Sequence, residues 1–242
     1  MSYADFAMFY DRLTWNIDYK ALAEMYAGLL CRYGVKGGKL LDLACGTGSL
    51  TVRLINRGFD ITAADISPEM LTVAAAKNSD VFWLCCDMRL LPFEEHFDAV
   101  ICALDSLNHL PDPDAIQQTF QKVYRSLKPG GVFAADLNTP YKHEYILANA
   151  NFVFDMDELF CTWQNDDVMV DNRVDMFLDF FLENEDGSYT RYCDSLSEIA
   201  VEPEVIVEML KKSGFKSVEI SEYITGKELT ETSEKFTVVA KK

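Results

Sequence analysis

Short apolar segments alternate with helical patterns from about residue 20 to residue 140 of this 242-residue chain. Such alternation is typical of a parallel sheet whose strands are joined by crossover helices, and it predicts an α/β fold. Strands are predicted at Lys39–Leu43, Phe59–Ala64, Val81–Cys86, Phe97–Ala103 and Val132–Leu137. Helices are predicted at Tyr19–Tyr33, from near Gly48, after a Ser67 cap with Pro68 in the first turn, and at Pro113–Leu127.

The pattern changes beyond about residue 150, where segments alternate in polarity or are aromatic and no long helix separates them. Because Asp186-Gly187 is a hairpin signal, this region predicts an antiparallel insert after strand five. Its segments are Phe152–Met156, Leu159–Trp163, Val168–Phe181 and Ser188–Ala200. A helix at Pro203–Ser213 and strands at Val218–Tyr223 and Phe236–Ala240 would complete the main sheet. Ligands of open α/β sheets bind beyond the carboxyl ends of the strands, so the insert would cap that edge.

The charge balance is strongly acidic, with 22 Lys and Arg against 39 Asp and Glu. Binding a phosphate backbone needs a positive surface, so nucleic acid is not an expected partner. None of the seven cysteines forms a CxxC pair, which predicts reduced thiols and neither a disulfide framework nor a metal site. Neither a membrane-spanning apolar run nor a signal-peptide pattern is present, so we expect a cytoplasmic protein without membrane contact.

The stretch LLDLACGTGSL, residues 40–50, ends a predicted buried strand in an acid, a small residue and two glycines. Small residues let a ligand approach the backbone, and the helix that follows offers free N–H groups. A dinucleotide fingerprint G-x-G-x-x-G fails here because Ser49 stands where its third glycine belongs, and no G-x-x-x-x-G-K phosphate loop is present. The stretch therefore fits an acid-x-small-x-Gly-x-Gly turn, with an ordinary strand-to-helix turn as the alternative.

A second acid, Asp65, ends the next predicted strand, 23 residues after Asp42. A carboxylate at that place can accept hydrogen bonds from both hydroxyls of a ribose. The alternative is a helix-capping acid, but Ser67 already fills that role. The two acids at one sheet edge favour a nucleoside-like ligand.

These motifs resemble those of the class I S-adenosylmethionine (SAM)-dependent methyltransferases, in which D-x-A-C-G-T-G is a common first motif. The segments FDAVICALDSLNHL and LKPGG resemble the same family, and the resemblance covers roughly residues 35–140. It implies a Rossmann-like seven-stranded methyltransferase sheet with helices on both faces, to which the antiparallel β cap is added. It also implies SAM as cofactor and S-adenosylhomocysteine (SAH) as product.

The resemblance implies roles for individual residues as well. Asp42 would lie near the ammonium group of SAM, a favourable pairing, and Asp87 and Met88 would bind the adenine. An N-terminal lid would bring Tyr10 and Tyr19 to the sulfonium or the methionine carboxylate. The implied cofactor-binding set is Tyr10, Tyr19, Asp42, Ala44, Cys45, Gly46, Thr47, Gly48, Asp65, Ile66, Asp87, Met88, Ala103, Leu104 and Asp105.

The candidate catalytic residues are His109 and Tyr10. His109 would act as a general base, since the unperturbed pKa of histidine lies near neutrality. The alternative is a histidine that packs a helix, and the alternative for the lid is a helix packed on the sheet.

Two strings, ALDSLNHLPD and EYIL, are similar to glycine N-methyltransferase within this family. Leu137 and Asn138 stand where that enzyme has an arginine for the substrate carboxylate, so glycine is not the expected acceptor. Sugar-amine N-methyltransferases share the antiparallel cap and remain open. The expected function is therefore SAM-dependent methyl transfer to a nitrogen or oxygen of a small molecule, by a monomer or homodimer.

Other functions stay open at this point. A SAM- or nucleoside-binding protein without catalysis would carry the same motifs. An RNA methyltransferase is disfavoured by the acidic charge, and an NAD-dependent reductase by Ser49.

The expected division of the chain is a lid (1–34), a SAM-binding core (35–140), a cap (141–202) and a closing helix with a hairpin (203–242). Alternation alone leaves open which cap side chains face the pocket. The candidates are Trp163, Arg173, Tyr189, Arg191 and Tyr192.

Overall fold

Two sheets organise the computed structural model, which describes residues 4–168 and 172–242. The strands are β1 (Gly38–Leu43), β2 (Phe59–Asp65), β3 (Phe82–Cys85), β4 (Phe97–Cys102), β5 (Leu127–Asn138), β6 (Asn151–Met156), β7 (Leu159–Asn165), β8 (Arg173–Glu183), β9 (Tyr189–Ile199), β10 (Ser217–Glu222) and β11 (Lys235–Lys241). The main sheet has seven strands in the order β10-β11-β5-β4-β1-β2-β3, and β11 is antiparallel to both of its neighbours. The predicted seven-stranded Rossmann-like sheet is thus confirmed.

Helices cover both faces of this sheet. They are α1 (Ala4–Leu13), α2 (Tyr19–Arg32), α3 (Thr51–Leu54), α4 (Pro68–Lys77), α5 (Pro113–Ser126), α6 (Pro140–Lys142) and α7 (Pro203–Ser213). The buried side chains of α2 and α3 form one core with the sheet, and those of α5 and α7 form another. Both cores are apolar, and their burial supplies the main driving force for assembling the layers.

The second sheet is the cap, with four antiparallel strands in the order β6-β7-β8-β9. It is inserted after β5, as the change of pattern predicts. Its inner face forms a third core with α1, in which Phe9 stacks on Phe180 at 4.7 Å between ring centroids. Offset aromatic pairs of this kind add to the stability gained by burying their area. The N-terminal helix is therefore attached to the cap.

The structure differs from the expected elements at a few places. The helix expected from near Gly48 begins at Thr51 and is four residues long, because positive φ angles at Gly46 and Gly48 keep the preceding turn out of helical conformation. Strand β5 begins at Leu127 and includes the LKPGG segment that was expected to precede it. The predicted segment Val168–Phe181 overlaps residues 169–171, and the lid pattern begins at Tyr3; these positions lie outside the described residues.

The strand order places a crevice between β1 and β4. The chain leaves β1 toward β2 and β3 on one side, and returns through β4 on the other. Ligands of such sheets bind at this switch point, beyond the carboxyl ends of the strands. No helix among the described residues has the length and hydropathy needed to cross a bilayer.

Candidate functional site

A cavity of about 1090 Å³ lies at the carboxyl edge of the main sheet, between α1 and the cap. Its wall includes these predicted site residues: Tyr10, Ala44, Gly46, Asp65, Ile66, Asp87, Met88, Leu104, Asp105 and His109. A small cavity of about 30 Å³ shares Tyr10, Ala44, Gly46 and Leu104 with it and adds Tyr19, Asp42, Cys45, Thr47 and Ala103. The fold therefore brings together residues that the sequence spreads over about 100 positions.

Gly48 lines neither cavity. A Cβ atom there would lie 2.6 Å from Cη2 of Trp83, and its φ of 73° lies in the left-handed region. Glycine at this position therefore serves the packing of the turn against β3. Its small size does not provide direct access for a ligand.

Asp65 holds the glycine turn in place. Its Oδ2 accepts a hydrogen bond from the backbone N–H of Gly46 at 2.8 Å, and its Oδ1 accepts one from the N–H of Ser67 at 2.9 Å. Burial raises the pKa of this carboxyl, while the backbone N–H groups act in the opposite direction. Ser67 caps α4 through its own hydroxyl, as predicted. The carboxylate has further lone pairs on the cavity side, and these could accept ribose hydroxyls.

Asp42 is buried beneath the same turn and accepts a hydrogen bond from the Thr51 hydroxyl at 2.6 Å. Burial raises the pKa of Asp42 to about 7, and the nearby Asp65 carboxylate adds to the shift, while the Thr51 hydrogen bond opposes it. A carboxylate that is costly to ionise in the free protein gains most from a cation beside it. This property fits the predicted place of Asp42 near the ammonium group of SAM.

We expect the Asp42→Asn variant to show a changed pH dependence of stability. An acid whose pKa is raised on folding binds more protons in the folded state, so its contribution to stability falls as pH rises from its unfolded value toward about 7. The stability of the variant relative to the wild type should therefore increase by about 2 kcal/mol between pH 5.5 and pH 7 and then level off. Urea unfolding across this pH range measures the difference; a constant difference would contradict the assigned pKa.

Asp87 and Met88 follow β3 and line the large cavity at the expected adenine end. Arg89 binds the Asp87 carboxylate through Nε and Nη2, at 2.6–3.0 Å. The Arg89 hydrogen bond lowers the pKa of Asp87, against a smaller opposing effect of burial. Asp87 is thus ionised and fixed in orientation by Arg89, a neighbour that the sequence motif does not identify.

The N-terminal helix α1 closes one side of both cavities. Tyr10 lines both of them, and the Tyr19 hydroxyl donates to the Thr14 hydroxyl at 3.1 Å. Burial raises the pKa of both tyrosines, so each keeps its phenolic proton at neutral pH.

Asp11 links α1 to the glycine turn. Its carboxylate accepts hydrogen bonds from the hydroxyls of Thr47 at 2.6 Å and Ser49 at 3.2 Å, and it pairs with Lys77 of α4 at 2.6 Å. These contacts join the helix that covers the cavity to the loop beneath it.

We expect Asp11→Ala to raise the dissociation rate constant of SAH by about three- to tenfold, because the covering helix loses its polar attachment. The effect on unfolding should be modest, because Asp11 is exposed although its partner Thr47 is buried. Stopped-flow measurement of SAH release tests this expectation. Lys77→Ala removes the ion pair with Asp11 and the hydrogen bond to the Ser49 hydroxyl but keeps the Asp11–Thr47 contact, so it should give a smaller change of the same sign. An unchanged release rate in both variants would contradict the attachment.

The turn after β4 lines the large cavity with Leu104 and Asp105. Leu104 and Asp105 have φ angles of 57° and 51°, which are costly for residues with a side chain. Their backbone N–H groups donate to the two carboxylate oxygens of Asp136, at 2.8 Å and 3.0 Å. Asp136 is fully buried on β5 and therefore holds this strained turn from below.

Further contacts surround Asp136. The Tyr26 hydroxyl donates to its Oδ1 at 2.5 Å, and Lys235 Nζ pairs with its Oδ2 at 2.8 Å. Lys235 also lies 3.2 Å from Oδ2 of Asp105. Burial alone would lower the pKa of Lys235, but Asp105 and Asp136 outweigh it and raise the pKa. Conversely, Lys235 and Lys142 overcome the effect of burial and lower the pKa of Asp105 to about 2.

His109 lies beside a buried glutamate that the sequence did not single out. Its Nδ1 lies 3.2 Å from the Ser197 carbonyl oxygen, and its Nε2 lies 3.6 Å from Oε1 of Glu198. Glu198 belongs to β9 of the cap and lines the large cavity. The candidate base and the cap thus meet at one point of the cavity wall.

The sequence left open which cap side chains face the cavity, and the structure places these residues in different environments. Trp163 lines the cavity, together with Phe152, Phe154 and Leu196 of the cap. Arg173 donates to the Ser197 hydroxyl and to the Pro111 carbonyl, and Tyr192 packs on Phe9. Arg191 forms an exposed ion pair with Asp179, and Tyr189 is exposed. The cap side of the cavity is therefore mainly aromatic and apolar, and Glu198 is an acidic group that the cap contributes to its wall.

Known proteins resemble this chain over its whole length. Residues 40–131 match the model of the methyltransferase domain family. A protein of Geobacillus sp. (strain WCH70) named as a methyltransferase is 33% identical over 247 residues, which cover 100% of both chains. The crystal structure of an S-adenosylmethionine-dependent methyltransferase from Clostridium acetobutylicum ATCC 824 has a TM-score of 0.88 and 32% identity, covering 99% of this chain and 98% of that one.

A more distant structure shares the fold alone. The sugar N-methyltransferase KedS8 from Streptoalloteichus sp. ATCC 53650 is 20% identical, with a TM-score of 0.80 over 98% of this chain and 93% of its own.

Proposed function

Because the chain belongs to the class I SAM-dependent methyltransferases, we propose that it transfers the methyl group of SAM to a nitrogen or oxygen atom of a small molecule. The observation that carries this proposal is the large cavity, which runs from the predicted adenosine residues to His109 and the cap. Its volume of about 1090 Å³ is slightly above the usual range for small-molecule sites, so there is room for an acceptor beside SAM.

The residues present suit SAM. Asp65, Ile66, Asp87 and Met88 would hold the adenosine, and Asp42, together with the backbone after β1, would hold the methionine part. When bound, SAM supplies an electrophilic methyl carbon, which the acceptor attacks with a lone pair while the sulfur keeps the electrons of the broken bond. The protein would contribute by aligning the acceptor with that carbon and by excluding water beneath α1 and the cap.

We propose a separate role for each of the predicted segments of the chain. Residues 1–34 would act as a lid, 35–140 would bind SAM, 141–202 would shape the acceptor site, and 203–242 would complete the sheet. The formal net charge of −17 supports a small acceptor over a nucleic acid. A cytoplasmic location and a monomer or homodimer remain predictions.

Calorimetry with SAM and SAH, followed by transfer of labelled methyl from SAM to a panel of small amines and alcohols, tests the proposed function. We expect micromolar binding of both compounds and transfer to at least one class of acceptor. Binding without transfer to any acceptor would favour a non-catalytic SAM-binding protein. Failure to bind either compound at millimolar concentration would contradict the proposed function.

A further inference from the structure

Glu198 is a buried carboxylate with an incomplete set of partners. Glu198 is 6% exposed, and its Oε2 accepts a hydrogen bond from Nδ2 of Asn138 at 2.8 Å. The same oxygen lies 3.2 Å from Nε2 of His143, whose Nδ1 lies 2.6 Å from the Asn172 carbonyl oxygen. Within residues 4–168 and 172–242, no Lys or Arg lies within ion-pair distance of Glu198, and no hydrogen bond reaches its Oε1. A buried carboxylate of this kind is costly unless a cation or a proton donor reaches it.

The orientation of His109 leaves a gap beside this oxygen. The Ser197 carbonyl can only accept, so Nδ1 of the neutral ring carries the proton that is donated to it. Nε2 therefore presents a lone pair, 3.6 Å from Oε1 of Glu198. Two acceptors thus face each other at the cavity wall, and a donor with two N–H groups would satisfy both.

The neighbouring charged groups already have hydrogen-bond partners. Asp105 is bound by Lys235 and by Nδ2 of Asn138, and Lys142 donates to Oδ1 of Asn138 at 2.9 Å. One polar atom each of Asp105, His109 and Glu198 lies within 4.8 Å of the others. Lys235 already supplies positive charge at Asp105, and Nε2 of His143 lies against Oε2 of Glu198. The carboxylate oxygen without a hydrogen-bond donor among the described residues is therefore Oε1 of Glu198, beside His109.

The position of the Glu198 carboxylate distinguishes between a hydroxyl and an amine as the methyl acceptor. A histidine that activates a hydroxyl works best with a carboxylate behind the ring, at the nitrogen remote from the nucleophile. Here a neutral carbonyl occupies that position, and Glu198 lies on the Nε2 side, from which a nucleophile would have to approach to give its proton to Nε2. A carboxylate there repels an oxygen that gains negative charge and attracts an ammonium ion.

We propose that the acceptor is an amine that enters as its ammonium ion, bound by Glu198 Oε1 and His109 Nε2. This inference rests on the proposed function and names the acceptor class for the same site. One N–H proton passes to His109 Nε2, which leaves a neutral amine with a free lone pair and an imidazolium that Glu198 stabilises. After transfer the methylated ammonium product leaves with its positive charge, and His109 returns its proton to solvent.

Sinefungin provides the probe, because a carbon replaces the sulfur of SAM in it and an amine replaces the methyl group. By calorimetry, the wild type should bind sinefungin about tenfold or more tightly than SAH. In Glu198→Gln this preference should fall to about twofold or less, with the Kd of SAH unchanged. The exposed Glu144→Gln is the matched control: it removes the same charge near the site and should retain the wild-type preference.

Further variants separate the contributions. His109→Phe removes the second acceptor and should weaken sinefungin by about fivefold, while SAH binding stays unchanged. If Glu198→Gln does not fold, Glu198→Ala takes its place. The ratio of the dissociation constants of SAH and sinefungin in the wild type tests the proposal without any variant. Equal binding of sinefungin and SAH by the wild type, or a preference that survives loss of Glu198, would overturn the amine assignment. Failure of the wild type to bind SAH would instead overturn the proposed function.

Discussion

Replacing Asp136 by asparagine is expected to lower the free energy of unfolding by about 3–5 kcal/mol, the cost of breaking a buried charge pair from one side. Asp136 is fully buried and receives hydrogen bonds from the Tyr26 hydroxyl and from the N–H groups of Leu104 and Asp105. It also pairs with Lys235. An asparagine amide would present two N–H donors to this ring of donors, and Lys235 would lose one of its two carboxylates.

Urea unfolding of the wild type and Asp136→Asn measures this loss. The matched control is Asp179→Asn, which removes one partner of the exposed pair with Arg191 and should cost no more than about 1 kcal/mol. A loss in Asp136→Asn as small as that in the control would show that the four contacts do not share one buried charge.

Asp65→Ala is expected to weaken SAM binding by about a hundredfold. The variant would lose the proposed acceptors for the ribose hydroxyls. It would also leave the N–H groups of Gly46 and Ser67 without their partner, and each unsatisfied buried donor costs about 1–3 kcal/mol. The turn beneath the cofactor would therefore be less well ordered before binding.

Calorimetry with SAM measures this change. Asp60→Ala, on the exposed side of the same strand, is the control and should bind SAM like the wild type. Asp65→Asn keeps one acceptor oxygen and should be intermediate. Unchanged affinity in Asp65→Ala would remove the ribose assignment, even if stability fell.

Local patterns predicted the elements of the fold well. The helix Pro203–Ser213 has the predicted bounds, because a proline opens it and Gly214 ends it in a left-handed conformation. Hydrophobic alternation identified all four cap segments. The beginning of β5 was missed, because its register with β4 shifts near Leu127 and lets the Pro129-Gly130-Gly131 segment remain in the strand.

The candidate site was predictable where its residues follow strand ends, and it was missed where tertiary contacts create it. Ala44, Asp65, Asp87 and Leu104 each follow or end a strand of the parallel sheet, so the topology places them at one edge. In the sequence, Glu198 is one of several polar residues in a strand of alternating polarity, so nothing distinguishes it from its neighbours. Its proximity to His109, 89 positions earlier, depends on how the cap sits over the core.

Asp136 and Lys235 illustrate the same limit. They pair across β5 and β11, two strands separated in sequence by the whole cap insert. An acid inside an apolar strand carries no motif, although a charged residue in such a place is rarely left without a partner. That signal could have marked Asp136 as important without naming what it binds.

The stacking of Phe9 on Phe180 has a consequence for the order of events in turnover. Because α1 is attached both to the glycine turn through Asp11 and to the cap through Phe9, moving it away from the proposed cofactor site would also disturb the cap wall of the cavity. We therefore expect a compulsory kinetic sequence in which SAM enters first and SAH departs last. In steady-state assays SAH should then compete with SAM and inhibit non-competitively against the acceptor.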